Sequence, residues 1–367
     1  MALRFKKIFL AAERFEAAGI FDVNGDGHPD IVSGEFWYEG PDFKKRHRIG
    51  SVAAFGEYYD DFSTIPLDIN GDGRLDFITG GWWGETLRWR ENPGVPGQEW
   101  PEHIIAQCGN IETTRAWDID GDGHLEIVPN TPNHPLVIYK LILDENGRGT
   151  AQFQAHPIKI KGRANDCQGH GLGFGDINGD GRGDFILRDG WLQAPADPYH
   201  EEWIWHPEFT LGEKPGVPIL AVDLNNDGLT ELIVGEGHGY GLSWWQQSLS
   251  FDGTRTWQEH PIDPYSSQYH DLHWRDIDGD GCPELITGKR FRAHPEGDGG
   301  DQDPYGWYVF KWTGECFAKH VIDFGPLGAA KGLGIQFAIA DLTGNGTLDV
   351  VAPGKDGLAL YFNEGTL

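Results

Sequence analysis

Two sets of residues in this sequence have types and spacings suited to chemistry. The first is an acidic nine-residue pattern, D-x-[DN]-G-D-G-x-x-[DE], which recurs from Asp22, Asp68, Asp118, Asp176, Asp223, Asp276 and Asp341. Oxygen donors on alternate residues, with glycine allowing the sharp turn between them, suit a hard cation such as Ca²⁺. The predicted ligands are Asp22, Asn24, Asp26 and Asp30, then Asp68, Asn70, Asp72 and Asp76, then Asp118, Asp120, Asp122 and Glu126. They continue with Asp176, Asn178, Asp180 and Asp184, with Asp223, Asn225, Asp227 and Glu231, and with Asp276, Asp278, Asp280 and Glu284. The last copy keeps only Asp341 and Asp349 as acids, with Thr343 and Asn345 between them. Counting carboxylates makes the copies at Asp118 and Asp276 the fullest calcium sites and the copy at Asp341 the emptiest.

The second set is histidine among glycines and cations. It comprises Gly169-His170-Gly171, Gly237-His238-Gly239-Tyr240, Tyr269-His270-Asp271 and the run from Gly288 through Lys289, Arg290 and Arg292 to His294. Glycine flanks let the backbone bring a polar side chain close to a ligand. Three histidines and a water make a catalytic metal set, which would add one further divalent metal to the several structural Ca²⁺ ions. Alternatively one histidine is a general base and Lys289 or Arg290 stabilises an oxyanion. The candidate catalytic residues are His170, His238, His270, Lys289, Arg290, Tyr240 and Asp271.

The elements that must position these residues repeat with the acidic pattern. Its copies start 46 to 65 residues apart, and short β-branched or aromatic runs such as Ile31-Val32, Phe77-Ile78 and Leu285-Ile286 follow them. Repeats of this length with β-type flanks indicate a propeller. A second landmark is an outer strand carrying His47, His103, His156, His206, His260 or His320, six copies for seven motifs. The missing strand is predicted at the N-terminus, Phe5–Leu10, beside Leu358–Phe362. The fold class is therefore all-β, a seven-bladed β-propeller of four-stranded blades forming one domain over residues 1–367. The N-terminal strand completes the last blade and removes the open sheet edges.

In a blade of strands A to D, the A–B turn lies on one face and the D–A and B–C loops on the other. The calcium loops are A–B turns, so unique chemistry belongs on the opposite face. Six residues before each motif the repeats read Glu16, Phe62, Glu112, His170, Val217, His270 and Ile335. Thirteen and fifteen residues after its first Asp they include Glu35, Asp189, Glu236, Lys289, Trp37, Trp83, Trp191 and His238. A scaffold position looks alike in every repeat, and these do not. The predicted substrate-binding residues are Glu35, Trp37, Trp83, Arg115, His134, Asp189, Trp191, Glu236 and His294. Aromatic rings beside carboxylates and histidines suit sugar faces and hydroxyls. The six outer-strand histidines share one repeat position and are assigned a packing role.

Composition limits the partners. The net charge of −28 opposes binding to nucleic acid or an anionic membrane. No apolar stretch approaches the ~20 residues of a membrane helix. The apolar run Ile8–Ala12 is shorter than the ~7–15 residues of a signal-peptide core. That places the chain in the cytoplasm if its start is native, and leaves a secreted or periplasmic location if it was trimmed. Cys108, Cys167, Cys282 and Cys316 fit no metal motif and are expected as free thiols.

The seven motifs at blade spacing resemble the FG-GAP or VCBS repeat family, whose propellers include the integrin α-subunit head. In those folds the calcium loops lie away from the usual binding face. A looser resemblance involves H-G-L-G-F-G-D at His170–Asp176, D-G-W at Asp189–Trp191, Gly237–Trp245, Gln268–Leu272 and Thr287–His294. These segments are similar to the propeller domain of the aldos-2-ulose dehydratase family. That resemblance implies a lyase removing water from a keto-sugar such as an anhydrofructose. The cupin domains of that family are absent from this sequence. The rival readings are a calcium-dependent lectin-like propeller and a polysaccharide lyase acting on uronic acid chains, with Arg115, Lys289, Arg290 and Arg292 for the carboxylates. All three imply a sugar or oligosaccharide ligand.

Overall fold

Short β-branched and aromatic runs interrupted by glycine and proline favour strands over helices. The structure, a computed structural model, describes residues 3–165, 168–294 and 297–366, and no helix occurs among them. Cys167 therefore lies outside the described residues. Cys108, Cys282 and Cys316 are free thiols.

Seven antiparallel sheets, each built from consecutive strands A to D, form the blades. Blade 1 runs Gly19–Phe21, Asp30–Ser33, Phe36–Glu39 and Lys45–Arg48. Blade 2 runs Ile65–Leu67, Asp76–Gly80, Thr86–Arg90 and Glu102–Gln107. Blade 3 runs Thr113–Trp117, Glu126–Asn130, Val137–Leu143 and Gly149–Pro157. Blade 4 comprises Leu172–Gly175, Asp184–Leu187, Gly190–Gln193 and Glu202–His206, with Lys159–Lys161 as a fifth, parallel strand at its outer edge. Blade 5 has Leu220–Val222, Glu231–Gly235, Tyr240–Leu249 and Arg255–Ser267. Blade 6 has Tyr269–Arg275, Glu284–Lys289, Tyr305–Trp312 and Phe317–Gly325.

Blade 7 joins the two ends of the chain. Ala338–Ala340, Asp349–Ala352 and Leu358–Thr366 supply three strands, and Leu3–Ala11 supplies the outermost. The register pairs Phe5 with Asn363, Lys7 with Tyr361 and Ile8 with Leu360. Closure by the N-terminal strand is as the count of outer strands predicted, and the pairing extends beyond Phe5–Leu10 at both ends. The core lies between blades. Ile31 and Tyr38 of blade 1 pack with Leu342, Val351 and Leu358 of blade 7, and Ile286 and Trp307 of blade 6 pack with Val350 and Tyr361. Leu3 and Phe5 lean on the second cluster and Ala11 belongs to the first, so the closing strand ties both together.

The outer-strand histidines pack. His47, His103, His206 and His260 stack on Trp37, Trp89, Trp191 and Trp244 of strand C, with ring centroids 4.2–4.5 Å apart. This corrects the expectation for Trp37 and Trp191. They are 2% and 1% exposed, inside their blades rather than at the mouth. In blades 1 and 4 only two residues separate strand B from strand C, so counting fifteen from the motif runs past the loop into strand C.

Each acidic motif is an A–B turn that closes on itself. Asp22 Oδ1 accepts the N–H of Gly25 at 2.7 Å and Oδ2 that of Gly27 at 2.8 Å. Both glycines have φ near +80°, where a Cβ would be strained. The ninth position behaves in two ways. Asp30, Asp76, Asp184 and Asp349 each accept a loop N–H with one oxygen and a strand-edge N–H with the other. Glu126, Glu231 and Glu284 are one methylene longer. One oxygen takes the N–H of Ile119, Leu224 or Ile277, and the other is buried without a hydrogen-bond partner. Burial pushes the Glu231 carboxyl up to about 7, as desolvation of an uncompensated charge does. In the glutamate-type loops that second oxygen lies 3.2 Å from a lysine ammonium in Glu126 and Glu284 and has no hydrogen-bond partner in Glu231, whereas the aspartate-type loops have used each oxygen once.

Candidate functional site

On the face opposite the acidic turns, the D–A and B–C loops surround the mouth of the axial channel. The residue six before each motif stands where the chain enters strand A. Phe62, Glu112, His170 and His270 are brought together there from different blades. A cavity of about 350 Å³, within the range of small-molecule sites, is lined by Tyr58, Phe62, Trp82, Trp83, Glu112, His170, His238, Arg290, Ala293 and His294. One wall is aromatic. Trp83 packs on Tyr58 at 4.9 Å and on Phe55 at 5.1 Å, and the Tyr58 hydroxyl donates to the Ala293 carbonyl at 2.7 Å.

The other wall is centred on Glu112. Its Oε1 lies 2.8 Å from His270 Nε2, 3.4 Å from His238 Nε2 and 3.7 Å from His170 Nδ1. Burial raises the cost of this carboxylate, but hydrogen bonds from His238 and His270 override it and hold the group well below the usual carboxylate range. Burial, then the Arg290 charge, pushes His270 down to about 4, so its ring is neutral at pH 7. Burial also lowers His170, whereas His238 is raised because Asp298 and Glu112 outweigh its burial. Asp298 Oδ2 faces His238 Nδ1 at 3.0 Å and Oδ1 faces His294 Nδ1 at 3.2 Å. Carboxylate oxygens of Asp298 and Glu112 thus face the two ring nitrogens of His238, an arrangement that favours its protonated form. The His294 ring stacks on His238 at 4.6 Å.

The donor set fits a divalent metal. Ligand atoms of Glu112, His170 and His238 all lie within 4.8 Å of one another. His170 Nδ1 and His270 Nδ1 are buried without a hydrogen-bond partner. Mixed imidazole and carboxylate donors suit zinc-like ions, and three such ligands leave a coordination position open. Arg290 closes the floor. Its Nε and Nη2 donate to the two oxygens of Glu16 at 2.8 and 3.2 Å, both side chains being buried.

The sequence repeats can now be set against this architecture. A model of the FG-GAP-like repeat matches residues 22–79, 68–128 and 223–287, each match running from one acidic turn through the next. FG-GAP-like repeats in these three stretches and the seven-bladed ring support the FG-GAP propeller family. No curated protein matches it in sequence. Among solved structures this FG-GAP-like propeller is similar to BBS1N in its complex with ARL6DN, at 10% identity and a TM-score of 0.53, covering 100% of this chain and 99% of that one. It is also similar to the rhamnogalacturonan lyase PL11 of Bacillus licheniformis, at 14% identity and a TM-score of 0.50, covering 99% of this chain and 75% of that one. A lectin of Agrocybe aegerita that recognises non-reducing terminal N-acetylglucosamine matches at 18% identity and a TM-score of 0.48, covering 98% of this chain and 86% of that one. At such identities the first two show a shared fold alone.

In this FG-GAP-like propeller the structure brings His170, His238, His270, Arg290, Trp83 and His294 together at the mouth. Other expected site residues stand elsewhere. Lys289 is 1% exposed and its ammonium is taken up by Ser267 Oγ at 2.8 Å and the Gly300 carbonyl, behind the cavity wall. Asp271 and Arg115 pair with each other at 2.7 Å, and Asp271 also accepts the Phe337 N–H at 2.9 Å, so both brace the channel. Tyr240 donates to Asp303 at 2.6 Å and borders, with Glu236, a separate groove. Glu35 accepts the Val52 N–H, Asp189 pairs with Arg163 at 2.6 Å, and His134 packs near Gly109. None of these lines the cavity. The residues missed were Glu112, Glu16 and Asp298. Glu112 and Glu16 share the repeat position of His170 and His270, and that shared position was the signal available.

Proposed function

We propose that the protein is a carbohydrate-active lyase that dehydrates a keto-sugar in this cavity. The observation that carries the reading is the single asymmetric site, in which Glu112 and its three histidines face an aromatic wall of Tyr58, Trp82 and Trp83. A sugar ring stacks on the aromatic wall and turns its ketone to the histidine wall. A divalent metal held by Glu112, His170 and His238 would polarise that ketone and make the neighbouring C–H more acidic. Asp298 fixes His294 with its proton on Nδ1, which leaves Nε2 to take the proton next to the ketone. As that C–H bond breaks, its electron pair forms the C=C bond and the β-carbon to oxygen bond breaks. The imidazolium of His294 returns the proton to the departing hydroxyl, so one water and one enone form from each sugar.

Geometry favours a keto-sugar over a uronic acid chain. The four cations that the uronate reading calls on already have partners: Arg115 with Asp271, Arg290 with Glu16, Arg292 with Glu57, and Lys289 with Ser267 and a carbonyl. No free guanidinium among the described cavity residues awaits a carboxylate. The test is incubation with anhydrofructose and related aldosuloses while enone absorbance is followed. Conversion that is lost in His294→Ala supports the reading. A sugar bound with no conversion at any metal loading assigns the propeller to the carbohydrate-binding class instead.

A further inference from the structure

The acidic turns of blades 3 and 6 contain a group the others lack. In each blade the residue after the ninth motif position pairs with a strand C partner: Ile31 with Tyr38, Phe77 with Arg90, Ile127 with Tyr139, Phe185 with Leu192, Leu232 with Trp245, Leu285 with Phe310 and Val350 with Tyr361. The residue after that partner is Glu39, Glu91, Lys140, Gln193, Gln246, Lys311 and Phe362 in blade order. Only blades 3 and 6 place a cation there.

Both lysines are seated among the carboxylates. Lys140 Nζ contacts Asp120, Asp122 at 2.7 Å and Glu126 at 3.2 Å. Tyr199 of blade 4 covers it, with its hydroxyl 3.2 Å from Nζ and donating to Asp120 at 2.8 Å. Lys311 Nζ lies 2.5 Å from Asp278 and Asp280 and 3.2 Å from Glu284. An ammonium has three N–H donors, and here it meets three carboxylates. The Glu126 and Glu284 oxygens nearest these lysines are the buried ones without hydrogen-bond geometry, so the ammonium is their compensating charge. In Glu231, of blade 5, the corresponding oxygen has no such neighbour and Gln246 stands in place of the lysine.

The lysines vary together with the loops. Blades 3 and 6 are the two whose third motif residue is aspartate, Asp120 and Asp278, rather than asparagine or threonine. Where the extra acid is present the facing residue is basic. In blade 2, where the third residue is Asn70, the facing residue is Glu91 and the Asn70 amide donates to it at 3.4 Å.

We propose that Lys140 and Lys311 are resident counter-cations that occupy the place of the divalent ion, so the turns of blades 3 and 6 close without metal. Calcium binding is then confined to turns without a lysine. This reverses the order that carboxylate counting gives, and it is independent of any reaction at the histidine site. A Ca²⁺ ion entering either turn must expel the ammonium, because two like charges repel within one set of ligands.

The experiment is calcium stoichiometry by equilibrium dialysis with radiolabelled calcium, together with Tm in EDTA and in excess calcium. It compares the full chain with Lys140→Met, Lys311→Met and Asp120→Asn. Each lysine variant is expected to bind one more calcium ion than the parent, with a Tm that falls in EDTA and recovers with calcium. Asp120→Asn is expected to leave the bound calcium unchanged, because no ion sits there to lose. Lysine variants that gain no calcium, or an Asp120→Asn variant that loses one ion, overturn the proposal.

Discussion

Glu112 and His270 are 158 residues apart in the chain and 2.8 Å apart in space. Glu112 enters strand A of blade 3 and His270 opens strand A of blade 6, so the contact spans the mouth of the channel. It keeps a fully buried carboxylate ionised beside a neutral imidazole. It also places His170 and His238 around the same oxygen.

The histidines divide into two groups with opposite expected behaviour. His170→Ala, His238→Ala and His294→Ala should each lower keto-sugar turnover by ~10²-fold or more, as loss of a general base or metal ligand does. His103→Ala and His260→Ala should leave turnover nearly unchanged and lower Tm, because they remove rings stacked on Trp89 and Trp244. Steady-state kinetics with thermal melts on the five variants decides this. Equal losses of turnover in both groups would defeat the assignment.

Glu112→Gln keeps the size of the side chain and removes its charge. The variant should lose the zinc-like ion at the mouth while keeping the calcium bound at the acidic turns, because the two sites lie on opposite faces. Metal analysis after dialysis measures both at once. A variant that retains the full zinc content would remove Glu112 from the ligand set.

Stability should depend on pH through His270. Its pKa is about 6.5 when unfolded and is pushed down to about 4 in the folded protein, by burial first and then by Arg290. The unfolded chain therefore takes up a proton that the native state refuses, and stability contributed by the neutral ring is lost as pH falls from 6.5 toward 4. Urea unfolding of metal-free protein should show a smaller decline over that window in His270→Gln than in the parent. Parallel declines would place the acid sensitivity elsewhere.

Deleting residues 1–10 should abolish soluble folding. It removes the outer strand of blade 7, exposes the edge of Leu358–Thr366 and strips Leu3 and Phe5 from the cluster around Trp307 and Tyr361. A truncated chain that melts like the full one would show that the ring closes without this strand.

Much of this architecture was legible in the sequence because it is local and repeated. Seven acidic turns, five of them reading D-x-[DN]-G-D-G, set the number of blades, and six outer-strand histidines for seven turns pointed to the closing strand. The histidines that pack were separable from those at the mouth by repeat register alone. Register failed where loop length varies. Trp37 and Trp191 lie at the offset that places Trp83 in the cavity, but their two-residue loops carry them into strand C and the interior. Only the closed ring decided which unique residues meet. Glu112, Glu16 and Asp298 become part of the mouth because curvature brings blades 1, 3 and 6 around one axis; repeat position marked Glu112 and Glu16 as unlike their counterparts but not as partners of the histidines or of Arg290. The same holds for Lys140 and Lys311. A turn's charge count is written in nine consecutive residues, whereas the cation that neutralises it comes from a neighbouring strand and is recognised only when the two are in contact.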